Sequence, residues 1–78
     1  MRYFLLVYDQ LKGEVLEFQE FQDHERLEAL AARFEREAQT LRQTHIEVVV
    51  LGAESREALE RTHARYFKSP RQILLAGA

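Results

Sequence analysis

The sequence predicts an α+β protein: a two-layer sandwich with a three-stranded sheet, strand order 2-1-3, and two helices on one face. The elements run β-β-α-β-α, with a short C-terminal helix at the end. Three observations predict it. Residues 46–51, Ile-Glu-Val-Val-Val-Leu, are apolar at five of six positions and closed by Gly52. A run of this kind, without alternation, reads as a strand covered on both faces, and valine and isoleucine suit a pleated surface. Residues 2–9, Arg-Tyr-Phe-Leu-Leu-Val-Tyr-Asp, form a second such run. Between the two, Leu27, Leu30, Ala31, Phe34, Ala38 and Leu41 recur at steps of three and four, the spacing of an amphipathic helix.

In the first strand, Phe4, Leu6 and Tyr8 point to one face and Tyr3, Leu5 and Val7 to the other. Both sets are apolar, so this strand is expected in the middle. Residues 9–13 form the turn, with Gly13 free to take positive φ. In residues 14–21, Leu16 and Phe18 alternate with Glu17 and Gln19, the half-buried pattern of an edge strand. Asp23 is the expected cap of the long helix, and Ser55 of the second. In that second helix Leu59, Thr62, His63, Tyr66 and Phe67 share a face. Ser69, Pro70 and Gln72 then fit a capping box that starts the short C-terminal helix. The right-handed crossover rule makes the third strand parallel to the second and antiparallel to the first. The order 1-2-3 is the alternative.

Residues 1–78 form one domain. A chain of this length buries only about 60–65% of its unfolded surface. It has no cysteine, so neither a disulfide nor a thiolate zinc site staples it. Association with a second copy or with another protein is a common remedy. No apolar run approaches the roughly 18 residues of a membrane span, and the N-terminal run is too short for a signal peptide. The expectation is a soluble, cytoplasmic protein. Residues 61–78 carry four cations and no carboxylate, against seven cations and thirteen carboxylates before them. That balance disfavours a bulk-basic nucleic-acid binder and leaves a local patch, Arg61, Arg65, Lys68 and Arg71, as a candidate anion site.

No catalytic, metal or nucleotide signature stands out. His63 lies among Arg61, Arg65 and Tyr66, within two helical turns, where an imidazole can exchange protons near neutral pH. It equally suits a partly buried histidine finishing an apolar face. His24, His45 and His63 lack the spacing of a metal site, and three glycines cannot build a phosphate loop. No catalytic residue, metal or cofactor is implied.

The element order is loosely similar to the core of GIY-YIG nucleases, but Tyr3 and Tyr8 lack the following glycine that motif needs. A closer likeness runs through Phe-Leu-Leu-Val-Tyr-Asp (4–9), Ala-Ala-Arg-Phe-Glu (31–35), Glu-Val-Val-Val-Leu-Gly-Ala-Glu-Ser (47–55) and Thr-His-Ala-Arg-Tyr-Phe (62–67). In these segments the chain resembles a group of short uncharacterised bacterial proteins. The resemblance spans nearly the whole chain and implies no activity.

The functional expectation is a non-enzymatic protein–protein interaction module, a homodimer or a subunit of a larger assembly. With both helices on one face, the other face of the sheet stays open. Tyr3, Leu5, Val7, Val49 and Leu51, with Ile73, Leu74 and Leu75 at the margin, are then the candidate interface. The alternatives are anion or nucleic-acid binding through residues 61–71 and a small enzyme centred on His63.

Overall fold

Strand β1 (Arg2–Asp9) is the axis of the structure, a computed structural model that describes residues 1–67. It pairs antiparallel with β2 (Glu14–Phe21) on one side and β3 (Ile46–Ala53) on the other, giving the order β2-β1-β3. The β1–β2 hairpin closes through Asp9. Its Oδ1 accepts the amide N–H groups of Leu11 at 2.9 Å and Lys12 at 3.0 Å, and Gly13 takes φ 67°. A 3₁₀ turn (Asp23–Glu25) leads into helix α1 (Arg26–Gln39), which crosses back to β3. Helix α2 (Arg56–Thr62) and a second 3₁₀ turn (Ala64–Tyr66) follow β3. The expected C-terminal helix, residues 70–76, lies outside the described residues.

The helices lie on opposite faces of the sheet, so the expected two-layer arrangement with one open face does not occur. Leu5, Phe21 and Ala29 form one buried cluster, joined by Tyr3, Ala32, Val48 and Val50. Phe4, Leu6, Tyr8, Ala53, Leu59 and Tyr66 form another on the reverse side, joined by Val15, Phe18, Val49, Leu51, Ala58 and Phe67. The reason is β1 itself. Every side chain from Phe4 to Asp9 is buried, so each face requires its own cover. The right-handed β2–α1–β3 crossover places α1 on one face, and among the described residues α2 and its 3₁₀ turn cover the other.

Three local expectations change. A bulge in the β1–β2 ladder shifts the register from Val7↔Glu17 to Tyr8↔Val15. Leu16 is the residue left over. Val15 therefore packs with Phe18 in the core while Leu16 faces out. Asp23 is not the cap of the long helix; the entry is closed by the Gln22 N–H donating to Glu25 Oε1 at 2.8 Å. The second helix is short: the Thr62 hydroxyl donates to the Ala58 carbonyl at 3.1 Å, and the chain leaves helical geometry at His63. Ser55 caps it as expected, accepting the Ala58 N–H at 3.1 Å.

Helix α1 also turns a different side to the sheet. Its sheet-facing residues are Ala29 and Ala32, which fit between large side chains from β1, β2 and β3. Arg36, on the same side, donates to both carboxylate oxygens of Glu17 on β2, at 2.7 and 2.8 Å. The bulky stripe expected to face the core points away from it.

Leu6 is fully buried and packed against Phe18 and Val49 across the two ladders. We expect Leu6→Ala to destabilise the domain by about 2–5 kcal/mol. Leu6→Asp should unfold it, since an unpaired buried carboxylate costs several kcal/mol, comparable to the whole stability of a small domain. Urea unfolding followed by circular dichroism measures both; a Leu6→Asp chain with the wild-type midpoint would contradict the packing.

Candidate functional site

The outer face of α1 is the most exposed apolar surface among the described residues. Leu27, Phe34 and Leu41 are 79%, 72% and 80% exposed. Ala31 and Ala38 lie between them, also exposed, and Leu30 at the side is half-buried. Leu41 sits in the turn just past the helix, where the Thr40 N–H still reaches the Arg36 carbonyl at 3.0 Å. The stripe continues into an open depression of about 350 Å³ lined by Ala38, Gln39, Leu41, Arg42 and Gln43. Apolar side chains grouped in this way are uncommon on the surface of monomeric soluble proteins.

The candidate interface read from the sequence is covered from within. Leu5 and Val7 are buried, and Tyr3 packs into the cluster under α1. Val49 and Leu51 are half-buried against the cluster beneath α2. Ile73, Leu74 and Leu75 lie outside the described residues. The outer stripe of α1 was visible in the sequence as the helix's apolar face. The signal that reverses it is the pair Ala29 and Ala32, a second apolar side made only of small residues.

Of the candidate anion site, the described residues include Arg61 and Arg65, and Arg65 is engaged. Arg65 Nη2 donates to both oxygens of Glu47, at 3.1 and 2.9 Å, and to the Tyr66 hydroxyl at 2.6 Å. Its guanidinium carbon stands 4.2 Å from the centre of the Tyr66 ring, a cation–π contact. Arg61 is exposed; Lys68 and Arg71 lie outside the described residues. His63 is half-buried, with Nδ1 2.9 Å from the Thr62 hydroxyl and its ring stacked on Tyr66 at 6.5 Å between centroids. These contacts hold a turn in place. Among the described residues no cluster of three or more metal-ligating side chains occurs, and no helix is long and apolar enough to cross a membrane.

One polar network escaped the sequence reading. Glu47, the single charge in the apolar run of β3, receives the Tyr66 O–H at 2.5 Å and the Gln10 side chain at 3.0 Å besides Arg65. A carboxylate within such a run requires partners, and that was the available signal. Burial alone would raise the Glu47 pKa; the hydrogen bonds from Tyr66, Gln10 and Arg65 outweigh it and hold the carboxyl below its ordinary range. Burial and the Glu47 carboxylate push the Tyr66 phenol up to about 12. The Arg36 hydrogen bond, against burial, holds Glu17 low as well.

No family model, curated protein or solved structure matches the chain.

The Glu47 network makes stability depend on pH at both ends. A depressed carboxyl contributes stability that is present above its unfolded pKa and lost as pH falls through the folded value. Glu47→Gln should therefore be less stable than wild type at pH 7, with the gap closing below the ordinary glutamate value of 4.5. A raised phenol contributes stability present below its unfolded pKa and lost as pH rises through the folded one. Tyrosinate absorbance should show a component near pH 12 that Tyr66→Phe removes. A Glu47→Gln deficit that did not vary with pH would contradict the network.

Proposed function

We propose that this chain is a non-enzymatic module that acts by protein–protein contact through the outer face of α1. The observation that carries the reading is the outward display of Leu27, Phe34 and Leu41, each more than two-thirds exposed. A helix that presents large apolar side chains at i and i+7, with alanines at i+4 and i+11, suits docking against another helix or an apolar groove. Large exposed anchors with alanines between them give the partner both pockets and knobs. On the reverse side of the sheet, Gln10, Glu47, Arg65 and Tyr66 are engaged with one another.

The test compares wild type with Phe34→Glu, a change at an exposed position that leaves the core untouched. Tagged forms of each are used to recover associated polypeptides from native lysate, with a second, differently tagged copy of the chain included. We expect at least one polypeptide, the second copy or another protein, to associate with wild type and to be lost with Phe34→Glu. Association indifferent to Phe34, or none at all, would refute the reading.

A further inference from the structure

We propose that the free edge of β3 pairs with the same edge of a second copy, antiparallel, about a twofold axis through Val49. This surface is separate from the outer face of α1, so the inference goes beyond the interaction reading above and does not depend on it.

The sheet has two edges, and the chain treats them differently. On β2 a bulge breaks the ladder at Leu16, and Glu17 and Glu20 carry carboxylates held by Arg36 and Arg2. Bulges and charges are how an edge is kept from pairing. Strand β3 contains no lysine, arginine or proline, and its ladder to β1 runs without a register shift from Ala53 to Ile46. Its one charge, Glu47, is engaged by Tyr66 and Arg65. The covering helices are also drawn toward β2. Arg36 of α1 holds Glu17, and on the reverse face the Arg56 guanidinium carbon stands 4.6 Å from the centre of the Phe18 ring. Val48 to Leu51 are left half-buried on both faces, whereas Phe4, Leu5 and Leu6 of β1 are fully buried.

The backbone fixes the register. The Gln10 N–H donates to the His45 carbonyl at 2.8 Å, one step beyond the Asp9↔Ile46 pair. Alternation along an antiparallel ladder then aims the backbone polar groups of Glu47, Val49 and Leu51 at β1, and those of Ile46, Val48, Val50 and Gly52 away from it. The Ile46 N–H turns back to the Gln43 carbonyl at 3.0 Å, which marks where the free edge starts. A twofold axis through Val49 joins Val48 to Val50 of the second copy, and the Ile46 carbonyl to the Gly52 N–H, each contact made twice. A register one residue off would set outward groups against groups already bonded to β1. Two residues off carries the pairing past the end of the strand. The same operation keeps each face with its own kind: Val48 packs beside Val50 on the α1 side, and Val49 beside Val49 on the other. The two Glu47 side chains stand about 13 Å apart, at about 3.3 Å per residue, so no like charges meet.

Closure selects a second copy over an unrelated strand. An isolated foreign strand would carry an open edge of its own and cover for neither face. A second copy brings a helix for each face, and the joint sheet, β2-β1-β3-β3-β1-β2, ends at both sides on the bulged, charged β2.

The test uses the full chain. Light scattering at tens of micromolar should give twice the 9.2 kDa chain mass for wild type and for Phe34→Glu, and the single mass for Val50→Pro. That proline removes an N–H that faces the second copy and none that faces β1, a position an edge strand tolerates. Hydrogen exchange followed by NMR needs no variant. The wild-type Val48, Val50 and Gly52 amides should be protected at that concentration and exchange roughly tenfold faster on dilution to monomer. The chain has no cysteine, so single cysteines report the register. Val49 faces its counterpart with about 4.5 Å between Cα atoms, so Val49→Cys should form an intermolecular disulfide on mild oxidation. Leu51→Cys, about 13 Å from its counterpart, should not. A wild-type monomer, a dimer with fast exchange at Val48 and Val50, or a disulfide at Leu51→Cys in place of Val49→Cys would each overturn the pairing. A dimer lost with Phe34→Glu would put the second copy on α1, overturning this inference and supporting the reading above. Equal dimers from wild type and Phe34→Glu support the β3 pairing, and the α1 reading then stands or falls on the other polypeptides recovered from lysate.

Discussion

Strand β1 carries six consecutive buried side chains, from Phe4 to Asp9, and has a partner strand on each edge. A strand apolar on both faces cannot leave either to water, and the two described helices are divided between those faces. That division shapes the rest. Each helix has a sheet face to itself, and neither packs against the other. Among the described residues nothing covers the side of α1 away from the sheet, and what the sequence places there becomes surface.

Two polar connections fix the layers. On one face the fork of Arg36 holds α1 to β2 through Glu17; on the other, Arg65 and Tyr66 hold the second 3₁₀ turn to β3 through Glu47. Both are hydrogen-bonded ion pairs, which orient their elements more than they stabilise them. The first explains how a helix with only two alanines against the sheet keeps a defined rotation. The second accounts for the engaged state of Arg65 and for the placement of His63 beside a stacked ring rather than in an open cleft.

Much of the architecture was legible in the sequence. The uninterrupted run at Phe4–Tyr8 pointed to a central strand, Gly13 to the hairpin turn, and Ser55 to a helix start, because each depends on a local preference that nothing distant overrides. The order β2-β1-β3 followed from chirality and the two-faced character of β1. The rotation of α1 was not legible. Periodicity identifies an apolar stripe but not what the stripe meets, and Leu27, Phe34 and Leu41 describe a core face and a docking face equally well. The Leu16 bulge was hidden for a related reason: one inserted residue reverses the parity of half a strand without altering its composition. Glu47 could have been flagged as a carboxylate in want of partners, but Gln10, Arg65 and Tyr66 lie far from it in sequence and only the fold unites them.

The placement of small residues inward and large ones outward on α1 inverts the usual order of mutational tolerance along a helix. At Ala29, fully buried against the sheet, one added methyl branch meets β1 or β3, and overpacking of that kind costs about 1–3 kcal/mol. At Leu27 or Phe34 the whole side chain can be exchanged for a polar one without opening a cavity. A library of α1 variants scored only for folding would therefore hold Ala29 and Ala32 and lose Leu27 and Phe34. The same library scored for association would do the reverse at those outer positions, separating on one helix the residues that make the domain from those that make its contacts.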